Sequence, residues 1–234
     1  GAMLSTIQDL VATYKLDEVE WRPIVVGGKN TKRPLEFGGV IKIANLGGTG
    51  FDIGKAVTDV TINRSGDFPV FLSLKTSTTT TFFNVGLKTK ITKKEIDEGE
   101  IKNTDGKKLL DLFGIDNKRF CKIFNGNKDS KTSGKVTVSS SSGVKKLLES
   151  GIGFGYHVIH AKSGKIDSYK MDETLMNESA KVGKITLYYG GKTGRGKRID
   201  MVMESPHYKF KLNIRDTQGT DGYPTRMMCD FTKK

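Results

Sequence analysis

The chain has 234 residues, with 39 Lys plus Arg against 26 Asp plus Glu, and therefore a formal net charge of +13. Hydrophobic residues make up 35% of it, which is too many for a disordered chain. No apolar run approaches the ~20 residues of a membrane span, and there is no signal-peptide pattern, so we expect a cytoplasmic protein without a membrane partner. The two distant cysteines, Cys121 and Cys229, support neither a disulfide framework nor a thiolate zinc site.

The first third of the chain predicts helices and a hairpin. Apolar residues at three- and four-residue spacing predict an amphipathic helix over 4–14. Pro34, at a first helical position, predicts a second helix over 35–46, which ends at a pair of glycines. Strands are predicted over 57–62 and 70–75, and the polar residues between them favour a hairpin turn.

The middle of the chain predicts short helices and polar connections. The helices are expected over 93–99, 107–113 and 144–149. A polar segment near 125–143, which includes a run of serines, is a candidate internal hinge.

The last part of the chain, 151–234, is predicted to be strand-rich and basic. Strands are expected over 156–161, 185–189, 199–204 and 208–215. The last of these strands alternates an apolar face with a polar, mostly basic face that carries Lys209, Lys211, Asn213 and Arg215.

Positive charge is concentrated in two places. Residues 181–234 contain 12 Lys plus Arg against five Asp plus Glu, a net charge of +7, and a second group of lysines begins at Lys88. Each cluster taken alone is also compatible with a solvated loop, but the two together with the net charge favour contact with nucleic-acid phosphates. The candidate nucleic-acid-binding residues are Lys55, Lys88, Lys90, Lys192, Arg195, Lys197, Arg198 and Arg215.

The context of two motif look-alikes and of one histidine pair argues against the functions that they suggest. Residues 191–198 (GKTGRGKR) have P-loop spacing, but Arg198 occupies the position of the magnesium-binding Ser or Thr, and a strand follows instead of a helix. Residues 151–155 lack the third glycine of a dinucleotide-binding loop. His157 and His160 point to opposite faces of a predicted strand, which is poor geometry for one metal ion.

A more specific candidate site combines acids with a lysine. Asp59 lies on one predicted strand, while Ser73 and Lys75, two residues apart, share a face of the next strand. Glu36 lies in the first turn of the predicted helix on its apolar face, where a carboxylate needs a partner or a metal ion. Carboxylates that hold a hard cation, with a lysine beside the attacking water, are the minimum apparatus for metal-dependent phosphodiester hydrolysis.

These motifs, in this order, resemble the PD-(D/E)xK nuclease superfamily. The resemblance covers 34–77, with the helical glutamate, GKAVTDV around Asp59 and a strand ending in SLK; 213–228 resembles the ending of phage proteins of this kind. It implies one α/β (α+β) domain over 4–234, with a restriction-endonuclease-like central mixed sheet flanked by helices. It also implies a phage-encoded DNA endonuclease that uses Mg²⁺ or Mn²⁺, held by Glu36 and Asp59, with Lys75 as the active-site lysine.

Ser73 departs from the family pattern, because it occupies the position of the second acid and carries no charge. Glu36, or another acid such as Asp52 or Glu95, would then complete the metal site, with Ser73 contributing at most a hydrogen bond. The alternative hypothesis is a catalytically inactive nuclease-fold protein that binds DNA or RNA, or that serves in phage nucleoprotein assembly. The choice between DNA and RNA, and the oligomeric state, with a homodimer as one option, stay open.

Overall fold

The secondary structure alternates strands with short helices. The computed structural model of the protein describes residues 18–21, 36–37, 41–42, 57, 59–63, 66, 68–76, 80–126, 133–216 and 222–234. Among them, the strands are β1 (Glu18–Trp21), β2 (Glu36–Phe37), β3 (Ile41–Lys42), β4 (Val60–Asn63), β5 (Val70–Lys75), β6 (Thr80–Gly86), β7 (Gly134–Ser139), β8 (Tyr156–Lys162), β9 (Lys165–Met171), β10 (Lys184–Tyr189), β11 (Arg198–Glu204), β12 (Tyr208–Arg215) and β13 (Arg226–Lys233). The helices are α1 (Lys93–Glu98), α2 (Thr104–Phe113), α3 (Asn117–Phe124), α4 (Ser142–Ile152) and α5 (Glu173–Ser179). The expected α+β fold class is confirmed.

A five-stranded mixed sheet contains the predicted hairpin. Its strand order is β1-β4-β5-β8-β9, in which β5 and β8 are parallel and the other neighbours are antiparallel. Leu72 on β5 lies opposite Val60 on β4, so the predicted pairing of these two strands is confirmed. Helix α4 precedes β8 in the connection that makes the parallel pair possible.

A second sheet has six antiparallel strands in the order β6-β13-β12-β11-β10-β7. The predicted alternation of β12 is confirmed, because its apolar side chains are buried and the side chains between them lie on the other face. The buried residues of that strand are Tyr208, Phe210, Leu212 and Ile214. The chain passes between the two sheets from β5 to β6, from β7 through α4 to β8, and from β9 through α5 to β10.

The main hydrophobic core lies between the apolar face of the antiparallel sheet, the helices and one face of the mixed sheet. Tyr208 on β12 donates a hydrogen bond to the Tyr169 hydroxyl of β9 (2.9 Å), which connects the two sheets inside this core. The other face of the mixed sheet forms a smaller cluster around Val60, Ile62 and Leu72. The mixed sheet therefore carries buried apolar residues on both faces, although its edge strand β9 is largely exposed.

Each of the helices α1 to α5 begins after a residue whose side chain caps the first backbone N–H groups. Helix α1 has a complete capping box, in which the Thr92 hydroxyl accepts from the Glu95 N–H and the Glu95 carboxylate accepts from the Thr92 N–H. The other caps are Asn103, Asp116, Ser141 and Asp172. In the candidate hinge, 127–132 lie outside the described residues, and the serine run connects β7 to the cap of α4.

The helix predicted over 35–46 is corrected by the structure. Its described residues, Glu36–Phe37 and Ile41–Lys42, pair as the antiparallel strands β2 and β3. Gly38 and Gly39 interrupt the predicted helix, and each glycine in a helix interior costs about 1 kcal/mol. Glu36 is therefore a strand residue, while the helix predicted over 4–14 lies outside the described residues.

Candidate functional site

Asp59 is held at the beginning of β4 by the backbone of β5. The Asp59 N–H donates to the Leu72 carbonyl (2.7 Å), and the Leu74 N–H donates to Asp59 Oδ2 (2.8 Å). The strand predicted over 57–62 therefore begins later, at Val60, and Asp59 extends its pairing with β5. These two hydrogen bonds fix the Asp59 carboxylate beside the centre of β5.

Ser73 and Lys75 lie on this same stretch of β5, and their side chains share one face, as predicted. Ser73 is only 3% exposed, whereas Lys75 is half-buried. The Lys75 ammonium donates to the Thr81 carbonyl at the beginning of β6 (3.0 Å). Asp59, Ser73 and Lys75, which we call the acid–lysine cluster, are therefore brought together by two neighbouring strands.

The parallel pairing of β5 with β8 adds residues that the sequence did not indicate. His160 lies opposite Lys75, and Asp167 on β9 lies opposite His160, so the polar face continues across the sheet. Asp167 forms an ion pair with Lys233 (2.7 Å). His157 lies on the other face of β8, as predicted, where burial lowers the pKa of its imidazole and the charge of Lys170 lowers it further.

The acid–lysine cluster offers one carboxylate, that of Asp59, to a metal ion. Mg²⁺ is usually held by one or two carboxylates together with waters and substrate phosphates. Asp59 supplies one carboxylate in a fixed position. In the part of the chain that the structure describes, no group of three or more His, Cys, Asp or Glu is placed to hold a metal ion.

The other acidic residues that the sequence suggests for the metal site are Glu95, Glu36 and Asp52. Glu95 is a structural residue, because its carboxylate accepts hydrogen bonds from the N–H groups of Thr92, Lys102 and Asn103. Glu36 lies on β2, which packs against α4, but its side chain lies outside the described part. Asp52 lies outside the described residues altogether.

Three arginines cross one end of the antiparallel sheet. Arg198 lies directly opposite Arg215, and Arg215 lies directly opposite Arg226, on the successive strands β11, β12 and β13. Arg226 in turn lies opposite Gly86, the last residue of β6. We call Arg198, Arg215 and Arg226 the arginine row.

The members of the arginine row differ in their partners. Arg198 forms a close ion pair with Asp200 (2.6 Å), whose side chain is nearly inaccessible to solvent. Arg215 and Arg226 contact the thioether sulfur of Met228 at 3.5 and 3.9 Å, and a thioether is a weak acceptor. Within the described residues, the buried Nε of Arg215 has no hydrogen-bond partner. Two of the three guanidinium groups therefore lack a carboxylate partner in the described chain.

The glycine-rich loop between β10 and β11 lies at the same end of the sheet. Gly190 has a φ of +83°, and a Cβ at this position would overlap the backbone of Gly194, so the tight turn requires glycine. The loop is followed by a strand, which confirms that it is not a P-loop. It presents exposed cationic side chains at Lys192, Arg195 and Lys197.

The remaining candidate nucleic-acid contacts are separated by the structure. Lys88 is exposed just after β6, at the same sheet end as the arginine row. Lys90 forms an ion pair with Asp105 (2.6 Å), so its charge is compensated within the fold. Lys55 lies outside the described residues.

Strand β6 separates the two candidate regions. Its beginning, at Thr81, contacts Lys75, and its last residue, Gly86, pairs with Arg226. Five residues of strand correspond to about 17 Å. The acid–lysine cluster and the arginine row therefore lie at opposite ends of one strand.

Across the described residues, the helices are too short or too polar to cross a membrane. A scan against protein-family models and searches of curated proteins and of solved structures find no match to this chain.

Proposed function

We propose that the protein is a phage-encoded, metal-dependent endonuclease that hydrolyses DNA phosphodiester bonds at the acid–lysine cluster. The observation that carries this proposal is the position of Asp59 beside Ser73 and Lys75 across β4 and β5. The order of these residues, which resembles the PD-(D/E)xK superfamily, and the cationic end of the antiparallel sheet support it.

Each residue of the cluster has a proposed role. Asp59 would hold the cation together with a substrate phosphate, and Glu36 from β2 is the proposed second carboxylate. A bound Mg²⁺ or Mn²⁺ lowers the pKa of water and neutralises charge on the phosphate. Lys75, whose ammonium is anchored by the Thr81 carbonyl, would position the attacking water. Ser73, which is buried, would donate a hydrogen bond within the site.

Lysine replacement tests this site directly. Lys75→Met should reduce cleavage of supercoiled plasmid DNA in Mg²⁺ or Mn²⁺ by at least about 100-fold, because it removes the group that positions the water. Lys170→Met is the matched control, since Lys170 is an exposed lysine on the opposite face of the same sheet. Chelation of the metal should abolish cleavage. Equal cleavage by wild type and Lys75→Met would refute the assignment.

A second candidate function is nucleic-acid binding without cleavage. It is favoured by Ser73, which is 3% exposed and uncharged where the family pattern has an acid. This function predicts salt-sensitive binding of DNA or RNA and no cleavage with any divalent metal. Cleavage assays with both Mg²⁺ and Mn²⁺ separate the two functions, and competition between DNA and RNA of equal length identifies the preferred nucleic acid.

A further inference from the structure

The arginine row places like charges directly opposite each other. Neighbouring strands lie about 4.8 Å apart, so the three residues span about 10 Å across β11, β12 and β13. Like charges at directly opposite positions of a sheet are destabilising. A row of this kind is expected to persist only where something anionic compensates it.

Among the described residues, a carboxylate of the fold compensates the positive charge at only one end of the arginine row. Asp200 pairs with Arg198, and Lys211 also approaches Asp200 (3.6 Å), so this carboxylate is already shared between two cations. Among the described residues, the guanidinium groups of Arg215 and Arg226 have a polar contact to the Met228 sulfur and none to a carboxylate, and all three arginine side chains are half-exposed. Among the described residues, no carboxylate therefore pairs with Arg215 or Arg226, which leaves their positive charge available to an anionic ligand.

We propose that Arg198, Arg215 and Arg226 bind consecutive phosphates of one DNA strand. Arginine binds phosphate oxygens in a bidentate manner, with a planar group that stays charged at all physiological pH values. The row is too long for one phosphate, whereas three consecutive phosphates span about 7 Å along the strand at a rise of 3.4 Å per nucleotide, which is close enough to the row for long arginine side chains to reach. The exposed lysines and arginine of the neighbouring glycine-rich loop extend the same positive surface.

The inference extends the proposed function by naming the surface that holds the substrate backbone. It rests on DNA as the ligand but not on cleavage. Binding is therefore measured with chelator present, so that the acid–lysine cluster takes no catalytic part. If the protein binds DNA through the arginine row but does not cleave it with Mg²⁺ or Mn²⁺, the endonuclease proposal is refuted and the inference about the row stands. If cleavage is normal after the arginines of the row are replaced, the inference about the row is refuted and the endonuclease proposal stands.

Arg226→Gln is the decisive variant. Fluorescence anisotropy with a labelled 20-base-pair DNA should show about fivefold weaker binding near physiological salt and a decrease of about 0.9 in the slope of log K against log salt, because one phosphate contact is lost. Lys184→Gln is the matched control, since it removes the same charge from the opposite end of the same sheet. Arg226→Lys should bind with intermediate affinity, because it keeps the charge without the bidentate geometry.

Thermal unfolding supplies a readout that a purely structural role would not give. Arg226→Gln should unfold at the same temperature as wild type or at a higher one, because it removes like-charge repulsion from the row. Unchanged affinity and salt slope, or a loss no larger than that of Lys184→Gln, would overturn the proposal. A lowered unfolding temperature in proportion to the weaker binding would also overturn it, since the arginine would then act through stability.

Discussion

At the scale of single residues, Glu95 shows how backbone donors determine what an acid does. Burial on its own raises the pKa of the Glu95 carboxyl, but hydrogen bonds from the Asn103 N–H, the Thr92 hydroxyl and the Lys102 N–H lower it, and the net shift is downward from 4.5. The negatively charged Glu95 carboxylate thus accepts hydrogen bonds from three backbone N–H groups, of which that of Thr92 belongs to the capping box of α1. These hydrogen bonds give Glu95 a structural role at the beginning of α1.

The lowered pKa of Glu95 predicts a pH-dependent stability. Glu95→Gln should reduce the free energy of unfolding by about 1 kcal/mol at pH 7. A group with a depressed folded pKa stabilises the protein above its unfolded pKa, and this contribution is lost as the pH falls through the folded value. Urea unfolding should therefore give a smaller difference at pH 3 than at pH 7, whereas Glu100→Gln should show no comparable loss at neutral pH. Equal differences at both pH values would contradict this account.

Asp59 combines a structural hydrogen bond with the proposed metal contact, and two substitutions separate them. Asp59→Asn keeps an oxygen that accepts from the Leu74 N–H, whereas Asp59→Ala leaves this half-buried donor unpaired. We expect the alanine variant alone to lose about 1–3 kcal/mol in chemical unfolding, while both variants lose plasmid cleavage. Full cleavage by Asp59→Asn would show that the charge of Asp59 has no role in the reaction.

At the scale of elements, strands with a regular alternation of apolar and polar residues were predictable from the sequence, whereas elements with a less regular pattern were not. Strand β12 alternates Tyr, Phe, Leu and Ile with polar residues, and its predicted bounds match the structure. The inward residues of β13 include Met227 and Cys229, which have weaker strand preference, and no strand was predicted there. Strand β7 is largely exposed and has no buried face to detect. Helices α3 and α5 were also overlooked, although Asp116 and Asp172 are typical caps.

The contact between α4 and β6 requires a glycine, which the sequence alone does not explain. A Cβ at Gly151 would overlap the ring of Phe83, which is buried in the main core. Gly151→Ala should therefore cost about 1–3 kcal/mol of unfolding free energy, despite the better helix preference of alanine. In the background of Phe83→Leu the same change should cost less, and unfolding of the double variant measures the difference. If the two losses of unfolding free energy simply add, the side chains at positions 151 and 83 are not in steric conflict.

At the scale of the whole molecule, the order of the strands determines which arginine and lysine side chains lie next to each other. Arg198, Arg215 and Arg226 are adjacent because three consecutive strands run antiparallel, while Lys88 joins them because β6 pairs with β13 at the sheet edge. The sequence indicated two cationic clusters without showing that Lys88 of one cluster lies at the same sheet end as the arginines of the other. Likewise, Asp59, Ser73 and Lys75 were predictable from a local hairpin, whereas His160 entered through a parallel pairing across more than eighty residues.

The length of β6 sets a minimum footprint on the substrate. A DNA strand that reaches from the acid–lysine cluster to the arginine row has to extend over about 17 Å, which corresponds to about five nucleotides, before it meets the first arginine. Oligonucleotides with fewer nucleotides beside the cut phosphate should be cleaved equally by wild type and Arg226→Gln. Longer ones should favour the wild type, and a series of substrate lengths measures where the two diverge. The length of β6, an edge strand of the antiparallel sheet, would thereby determine the shortest substrate that reaches both regions.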